Sequence, residues 1–338
     1  MAMTIYDISK KAGVSIATVS RVLNGSENVR PSTRKKVMDV IDKYDYTPNA
    51  FARGMGLHSL KTIGILCADS SDLFLAKAVY FLEQELQANG YESLLCCTGY
   101  NPDSKKNYLN LILSKKVDSI ILVGSHFIGF NEDENQYIKD VSTQVPIMLL
   151  NASFDHPNVY STLCDDYGTM FEAATEMIQS GITDILYLYD SKSYSGLKKL
   201  HGFCDAMKEH NIPGFEKLIH FYDGNIEHLN EVADFVARIA TKGTSFHGIM
   251  TSDDSLAIGS IKYAQKKGIR IPEELSVMGY NNSMLTNCCT PELTSVDNRL
   301  ETLTHQLVQT LLGVLAGEEM PKKSIFSGKI IKRGTTLF

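Results

Sequence analysis

Between residues 4 and 24 apolar positions return every three or four residues, the period of short amphipathic helices. In TIYDISKKAGVSIATVSRVLNG, Ile5, Ile8 and Ala12 line one face, Gly13 interrupts the run, and Val14, Val19, Val22 and Leu23 line a second. The pattern predicts two helices joined by a glycine turn, each holding one face inward. A third helix is expected from Ser32, followed by a short segment over 49–57. From residue 61 the pattern changes to short runs apolar on both faces: 62–67 (TIGILC), 91–97, 118–124, 146–151, 184–189, 246–252 and 275–280. Such runs read as strands of a parallel sheet covered by helices. Helical stretches are expected between them at 76–89, 105–114, 168–180, 198–210 and 254–267. No fixed-period repeat and no low-complexity segment interrupts the series.

The first block has the offsets of a helix-turn-helix. Ser15 is a good N-cap for the second helix, which such a motif lays in the major groove. Ile16, Ala17, Thr18, Ser20 and Arg21 then face outward. Arg21 is the expected base reader, since a guanidinium donates two hydrogen bonds to guanine, worth roughly 1–3 kcal/mol of discrimination. Ile16 and Ala17 suit a thymine methyl; Thr18, Ser20, Tyr6 and Asn24 suit phosphate oxygens. Taken alone, Arg21 is as readily a solvated surface charge. The spacing of the whole block favours the motif. Pro48-Asn49 signals another helix start, and 50–55 is too short a helix to be stable alone in water.

Charge separates the chain into two parts. Residues 1–60 carry nine Lys and Arg against five Asp and Glu, and the remainder carries 24 against 34, within a net charge of −6. Only the head suits a polyanion. The 338 residues, 43% apolar, suffice for that head and one or two α/β domains. No apolar run reaches the roughly 18 residues of a membrane span, and no secretion signal opens the chain, so a cytoplasmic protein is expected. The seven cysteines show no C-x-x-C or zinc spacing, so reduced thiols and no metal are expected. No nucleophile elbow, Walker loop, H-E-x-x-H or G-x-G-x-x-G is present, which argues against an enzyme and a cofactor.

Chemistry is therefore sought at the strand ends. Asp69 and Phe74 stand in ADSSDLF after the first strand, Asn151 follows PIMLL, Asp253 follows MTS, Asn281 follows VMGY, Lys199 precedes LHGF and Asn298 follows LTSVD. Amides, carboxylates and a cation converging on a cleft suit a hydroxyl-rich small molecule, with Phe74 as a stacking wall. Each also reads, more simply, as a strand-end turn or cap.

The N-terminal block and the following VRPSTRKKVMDVIDKYDYTPNAFARGM resemble the lactose-repressor family of bacterial transcription regulators, in wording nearest the catabolite-control type. The resemblance implies a helix-turn-helix head (1–48), a hinge helix and linker (49–60), and an α/β core (61–338) of two Rossmann-like lobes of the periplasmic-binding-protein type. By position, Tyr6, Ser15, Thr18, Asn24, Thr33, Tyr46 and Asn49 match the family's backbone contacts, and Ile16, Ala17 and Arg21 its base readers. Two hinge helices would pair in the minor groove, with Ala52 and Arg53 at the DNA and Met55 where the family usually wedges a leucine. The chain is expected to cross between lobes near Ser161, Pro291 and Pro321. That makes one lobe of 61–160 and 292–321 and another of 161–291 and 322–338, with effector between them at Asp69, Phe74, Asn151, Lys199, Asp253, Asn281 and Asn298. Lys199 stands where arginine is usual, and Asn151 and Asn281 where sugar binders often carry aspartate, so a polar, carbohydrate-like effector is expected without a common hexose mode. The implied protein is a homodimeric repressor of a pseudo-palindromic operator in double-stranded DNA, without metal or cofactor. The alternative is a constitutive regulator whose core only dimerises or binds a protein partner.

Overall fold

Helices of the head begin where the sequence offers caps. α1 (Ile5–Ala12) starts at Thr4, whose hydroxyl accepts from the Asp7 N–H while the Asp7 carboxylate accepts from the Thr4 N–H at 3.0 Å. It ends at Gly13, whose φ of 61° is the left-handed cap that glycine adopts without a Cβ penalty. α2 (Ile16–Leu23) opens with the Ser15 hydroxyl accepting from the Thr18 N–H at 3.1 Å. α3 (Pro31–Lys43) has proline in its first turn, where a missing N–H costs nothing. Ile8, Ala12, Val19, Val22, Val37, Ile41 and Tyr46 close the core, with Ile5, Val14 and Leu23 packed against it. The computed structural model describes residues 3–23, 26, 28–46, 59–241 and 243–338. Asn24, Asn49, Ala52, Arg53 and Met55, expected at DNA, lie outside the described residues.

A second unit, Ile63–Phe338, follows the first, which ends at Thr62. It holds two six-stranded sheets. The strands are β1 (Thr62–Cys67), β2 (Glu92–Cys97), β3 (Ser119–Val123), β4 (Ile147–Leu150), β5 (Val159–Cys164), β6 (Ile185–Tyr189), β7 (Ile219–Phe221), β8 (Gly248–Thr251), β9 (Ser276–Tyr280), β10 (Thr294–Asp297), β11 (Lys323–Phe326) and β12 (Lys329–Ile331). The first sheet runs β11-β5-β4-β3-β1-β2 and the second β12-β10-β9-β8-β6-β7. β1 pairs with β3 in parallel, as do β3 with β4, β4 with β5, β6 with β8 and β8 with β9; β12 is antiparallel to β10.

Burial on both faces explains the unbroken apolar runs. Alternate side chains of the first sheet divide: Ile63, Ile65, Ile121 and Val123 face α4 (Leu73–Ala88) and α11 (Leu300–Leu315), while Leu66, Ile120, Leu122 and Leu149 face α5 (Pro102–Ser114) and α6 (Gln136–Ser142). In the second sheet Leu186, Leu188 and Ile249 face α9 (Leu229–Thr241) and α10 (Asp254–Lys267), and Ile185, Tyr187 and Met250 face α7 (Asp166–Gln179) and α8 (Tyr194–Glu209).

The three crossings between sheets fall later than expected. They follow Cys164, Asp297 and Phe326, so 161–164 and 323–326 belong with the first sheet and 294–297 with the second. The markers used to place them open or occupy strands. Pro291 and Pro321 precede β10 and β11, since proline without an N–H suits a strand entry, and Ser161 sits buried inside β5. β5 and β10 escaped the apolar pattern because serines and threonines fill them, and these are satisfied by hydrogen bonds such as Ser295 Oγ to Asp254 at 2.6 Å. α6, α9 and α11 are further elements absent from the expected series.

Candidate functional site

Within the head, α2 offers one face away from the core. Ile16 is 38% exposed, Ala17 and Arg21 are exposed, and Thr18 and Ser20 are half-buried. Thr18 bonds locally, its hydroxyl 2.9 Å from that of Ser15. Tyr6, 64% exposed, flanks this face on α1, and Thr33 stands half-buried on α3. Tyr46 is different. At 8% exposure its ring packs with Val37 and Ile41 and closes the bundle. Lys10, Lys11, Lys35 and Lys36 remain exposed and give the unit its positive surface.

In the core, β1 neighbours β3, and β6 neighbours β8, at the two places where strand order reverses. Open α/β sheets bind ligands beyond the C-terminal strand ends at such switch points, because the connecting loops diverge there and leave a crevice. Asp69 and Asp72 follow β1, Ser125 and His126 follow β3, Asp190 follows β6, and Ser252 and Asp253 follow β8. Asp69, Asp72, His126, Asp190 and Asp253, with Tyr100, line a cavity of about 630 Å³. Behind it a recess of about 90 Å³ reaches Phe74, Asn151, Lys199 and Asn281. One hydroxyl contact crosses the cleft, Ser125 Oγ donating to Ser193 Oγ at 2.8 Å.

Carboxylates set the electrostatics. Burial, then the charges of Asp190 and Asp254, push Asp253 up to about 7. Burial raises Asp72 too, against the Leu75 and Phe74 N–H groups that it caps, with Asp190 and Asp69 adding to the rise. Tyr100 is carried up to about 12 by burial and the same acids. Burial and Lys105 bring His126 down to about 4, so its ring is neutral, and it meets Tyr100 edge-on at 4.8 Å. Asp253 and Asp254, adjacent in sequence, do not share a site. Asp253 accepts from the Ser255 N–H and Asn281 Nδ2 at the cleft, whereas Asp254, 1% exposed, accepts from the Ser283 N–H and Ser295.

Lys199 forms the floor. Its Nζ donates to the Ser252 carbonyl at 3.0 Å and lies 3.9 Å from the centroid of Tyr280. Tyr280 in turn donates at 2.7 Å to Asp166, which Ser195 also serves at 2.5 Å. Burial raises Asp166 and Lys199 pulls it back. Asn151 and Asn281 have φ of 61° and 97°, a region that asparagine tolerates better than other residues with a Cβ, which is a conformational reason for the amide at both strand ends. Asn298, 2% exposed, lines neither the cavity nor the recess; it borders a separate groove along α4 and donates to Asn281 Oδ1 at 3.0 Å, and so holds that amide in place.

Residues 4–49 match the model of bacterial regulatory proteins of the lacI family, and 174–336 match a periplasmic binding protein-like domain. An HTH-type transcriptional regulator of Lachnoclostridium phytofermentans is 50% identical over 336 residues, 99% of this chain and 100% of that protein. The chain belongs to the lacI family. This lacI-family chain is also 33% identical over 303 residues to catabolite control protein A of Priestia megaterium, covering 88% of the one and 87% of the other. In fold it matches a lac repressor dimer bound to operator and an anti-inducer, with a TM-score of 0.89, 20% identity and full coverage of both chains. It is a DNA-binding transcription regulator and not an enzyme.

Reasoning from sequence missed Asp72, Tyr100, His126 and Asp190. A signal existed for Asp190, which directly follows the DILYLY run as Asn151 follows PIMLL. Asp72 stands in the ADSSDLF segment and His126 two residues past the 118–124 run, so both carry the same strand-end signal; which strand-end residues share the cavity is decided by strand order.

Proposed function

We propose that this regulator is a repressor that binds a two-fold operator as a homodimer and is controlled by a small polar, hydroxyl-bearing effector in the cleft. Arg21 reads bases beside Ile16 and Ala17, and Tyr6, Ser15, Thr18, Ser20 and Thr33 hold phosphates. Asp69, Phe74, Asn151, Lys199, Asp253 and Asn281, joined by Asp72 and Asp190, hold the effector. The observation that carries the reading is the origin of the cavity lining. Asp69, Asp72 and His126 come from one lobe and Asp190 and Asp253 from the other, so an occupant contacts both and favours one lobe arrangement. Dimerisation is supported by apolar side chains left exposed on the first lobe, Leu94 and Leu95 on edge strand β2, Leu111 on α5 and Tyr80 on α4. The lac repressor of similar fold is a dimer on its operator.

The test is a thermal-shift screen of sugars, polyols and nucleobases, followed by fluorescence anisotropy on an operator selected from random duplexes. A ligand that raises Tm should change operator affinity by roughly 5- to 150-fold, a common size for coupling between sites. The Lys199→Ala/Asn281→Ala double variant should lose that response. A double variant responding as the native protein does would put the effector elsewhere. A core that no ligand shifts would favour constitutive binding.

A further inference from the structure

The cavity has an unusual charge inventory. Asp69, Asp72, Asp190 and Asp253 all line it, Glu227 stands at its rim, and no lysine or arginine shares the lining. Lys199 reaches only the recess behind, where its ammonium is engaged by the Ser252 carbonyl and the Tyr280 ring. His126 is neutral there. Burial raises Asp72 and Asp253, and the neighbouring acid charges, Asp190 in both cases, add to the rise.

A second observation is independent of these acids. Asn151 is 7% exposed and lines the recess beside Asp72, Asp190 and Asp253, yet its Oδ1 accepts no hydrogen bond from the protein. A buried acceptor with no protein partner, in a side chain that lines the recess, suits a donor from an occupant of that recess. Among the described residues no three acids, histidines or cysteines come close enough to hold one metal ion. The negative charge is therefore spread over the walls and fits an extended organic molecule better than a point cation.

Resting on the effector reading above, we infer that the effector is a cation, a small molecule carrying at least one ammonium group beside its hydroxyls, in the class of amino sugars and amino polyols. The ammonium sits among Asp72, Asp190 and Asp253, and hydroxyl or ammonium donors reach Asn151 Oδ1. Burial, with the charges of Asp190 and Asp254, holds Asp253 partly protonated near neutral pH, and an ammonium beside it favours the charged form, so the complex forms with proton release.

The experiment is isothermal titration of the full-length protein with matched pairs: glucosamine against glucose, galactosamine against galactose, and spermidine as a cation without hydroxyls. An amine is expected to bind at least about tenfold more tightly than its neutral partner, the gain of one additional charge-assisted contact. Asp190→Asn, which preserves shape and can still accept from Ser252, should erase most of that preference, and Asp69→Asn, with no burial role, should reduce it independently. Titrations in buffers of different ionisation enthalpy should show protons released. Neutral sugars binding as tightly as the amines would overturn the charge assignment and leave the effector cleft standing. Absence of binding by every amine and every sugar up to about 10 mM, far weaker than useful effector affinities, would overturn both.

Discussion

Replacing Lys199 by methionine removes a charge from the floor of the cleft while keeping an unbranched chain of similar length. The side chain is 7% exposed, its Nζ is 3.0 Å from the Ser252 carbonyl oxygen and 3.9 Å from the Tyr280 ring centroid. A hydrogen bond to a charged group contributes about 1.5–3 kcal/mol, and a desolvated cation–π contact about 2 kcal/mol. Part of that loss is returned, because methionine has no ammonium to strip of water. A further cost comes from Asp166, fully buried, whose carboxylate Lys199 helps to keep charged. From the two direct contacts, less the desolvation returned, we expect a loss of about 3 kcal/mol, or about 6–12 °C in Tm for a core of this size. Without Lys199 the folded-state value of Asp166 rises further above its ordinary 3.8. A carboxyl so raised takes up a proton in the folded state before the unfolded one, and the stability this provides is lost as pH rises through the folded value. The deficit of the variant should thus be larger at neutral than at acidic pH. Urea titrations followed by circular dichroism and tyrosine fluorescence, in a chain without tryptophan, give both numbers. A loss under about 1 kcal/mol, or one equal at both pH values, would refute the account of Lys199 as the compensating charge.

Arg21→Ala should cost about 1–3 kcal/mol at one guanine of each half-site and relax preference there, while Lys35→Ala weakens operator and random DNA alike; equal losses on both DNAs for Arg21→Ala would remove its reading role. Leu95→Glu, which places a charge on exposed edge strand β2, should convert a dimer to monomers in sedimentation and with it abolish tight operator binding; an unchanged mass would move the interface elsewhere. Asp253, raised to about 7, binds a proton in the folded core that the unfolded chain has released, so native stability should decline as pH rises from about 4 to about 7. Asp253→Asn, which can still cap Ser255, should flatten that decline in thermal melts, and an unaltered slope would assign it to other groups.

Local physical chemistry made the head legible. Helical period, the Ser15 cap, and glycine at position 13 are all satisfied within a few residues, and the structure forms α1 and α2 from them. The same holds for β1, β3 and β4, whose two buried faces appear directly as apolar runs. Tyr46 shows the limit: an aromatic after a helix reads equally as contact or core until the bundle closes over it. β5 and β10 show another, since buried serine and threonine look like loop until partners such as Asp254 satisfy them. The crossings depended on which sheet each of these polar strands joins. Strand-end position picked out Asp69, Asn151, Asp253 and Asn281, because polar groups at the end of an apolar run are visible in one dimension. That Asp69, Asp72, Asp190 and Asp253 face one another was decided only by strand order, which places the ends of β1, β6 and β8 around one cavity although these aspartates span more than half of the chain. Their mutual repulsion, the property that shapes the ligand, is a function of distance in space and so has no counterpart in sequence.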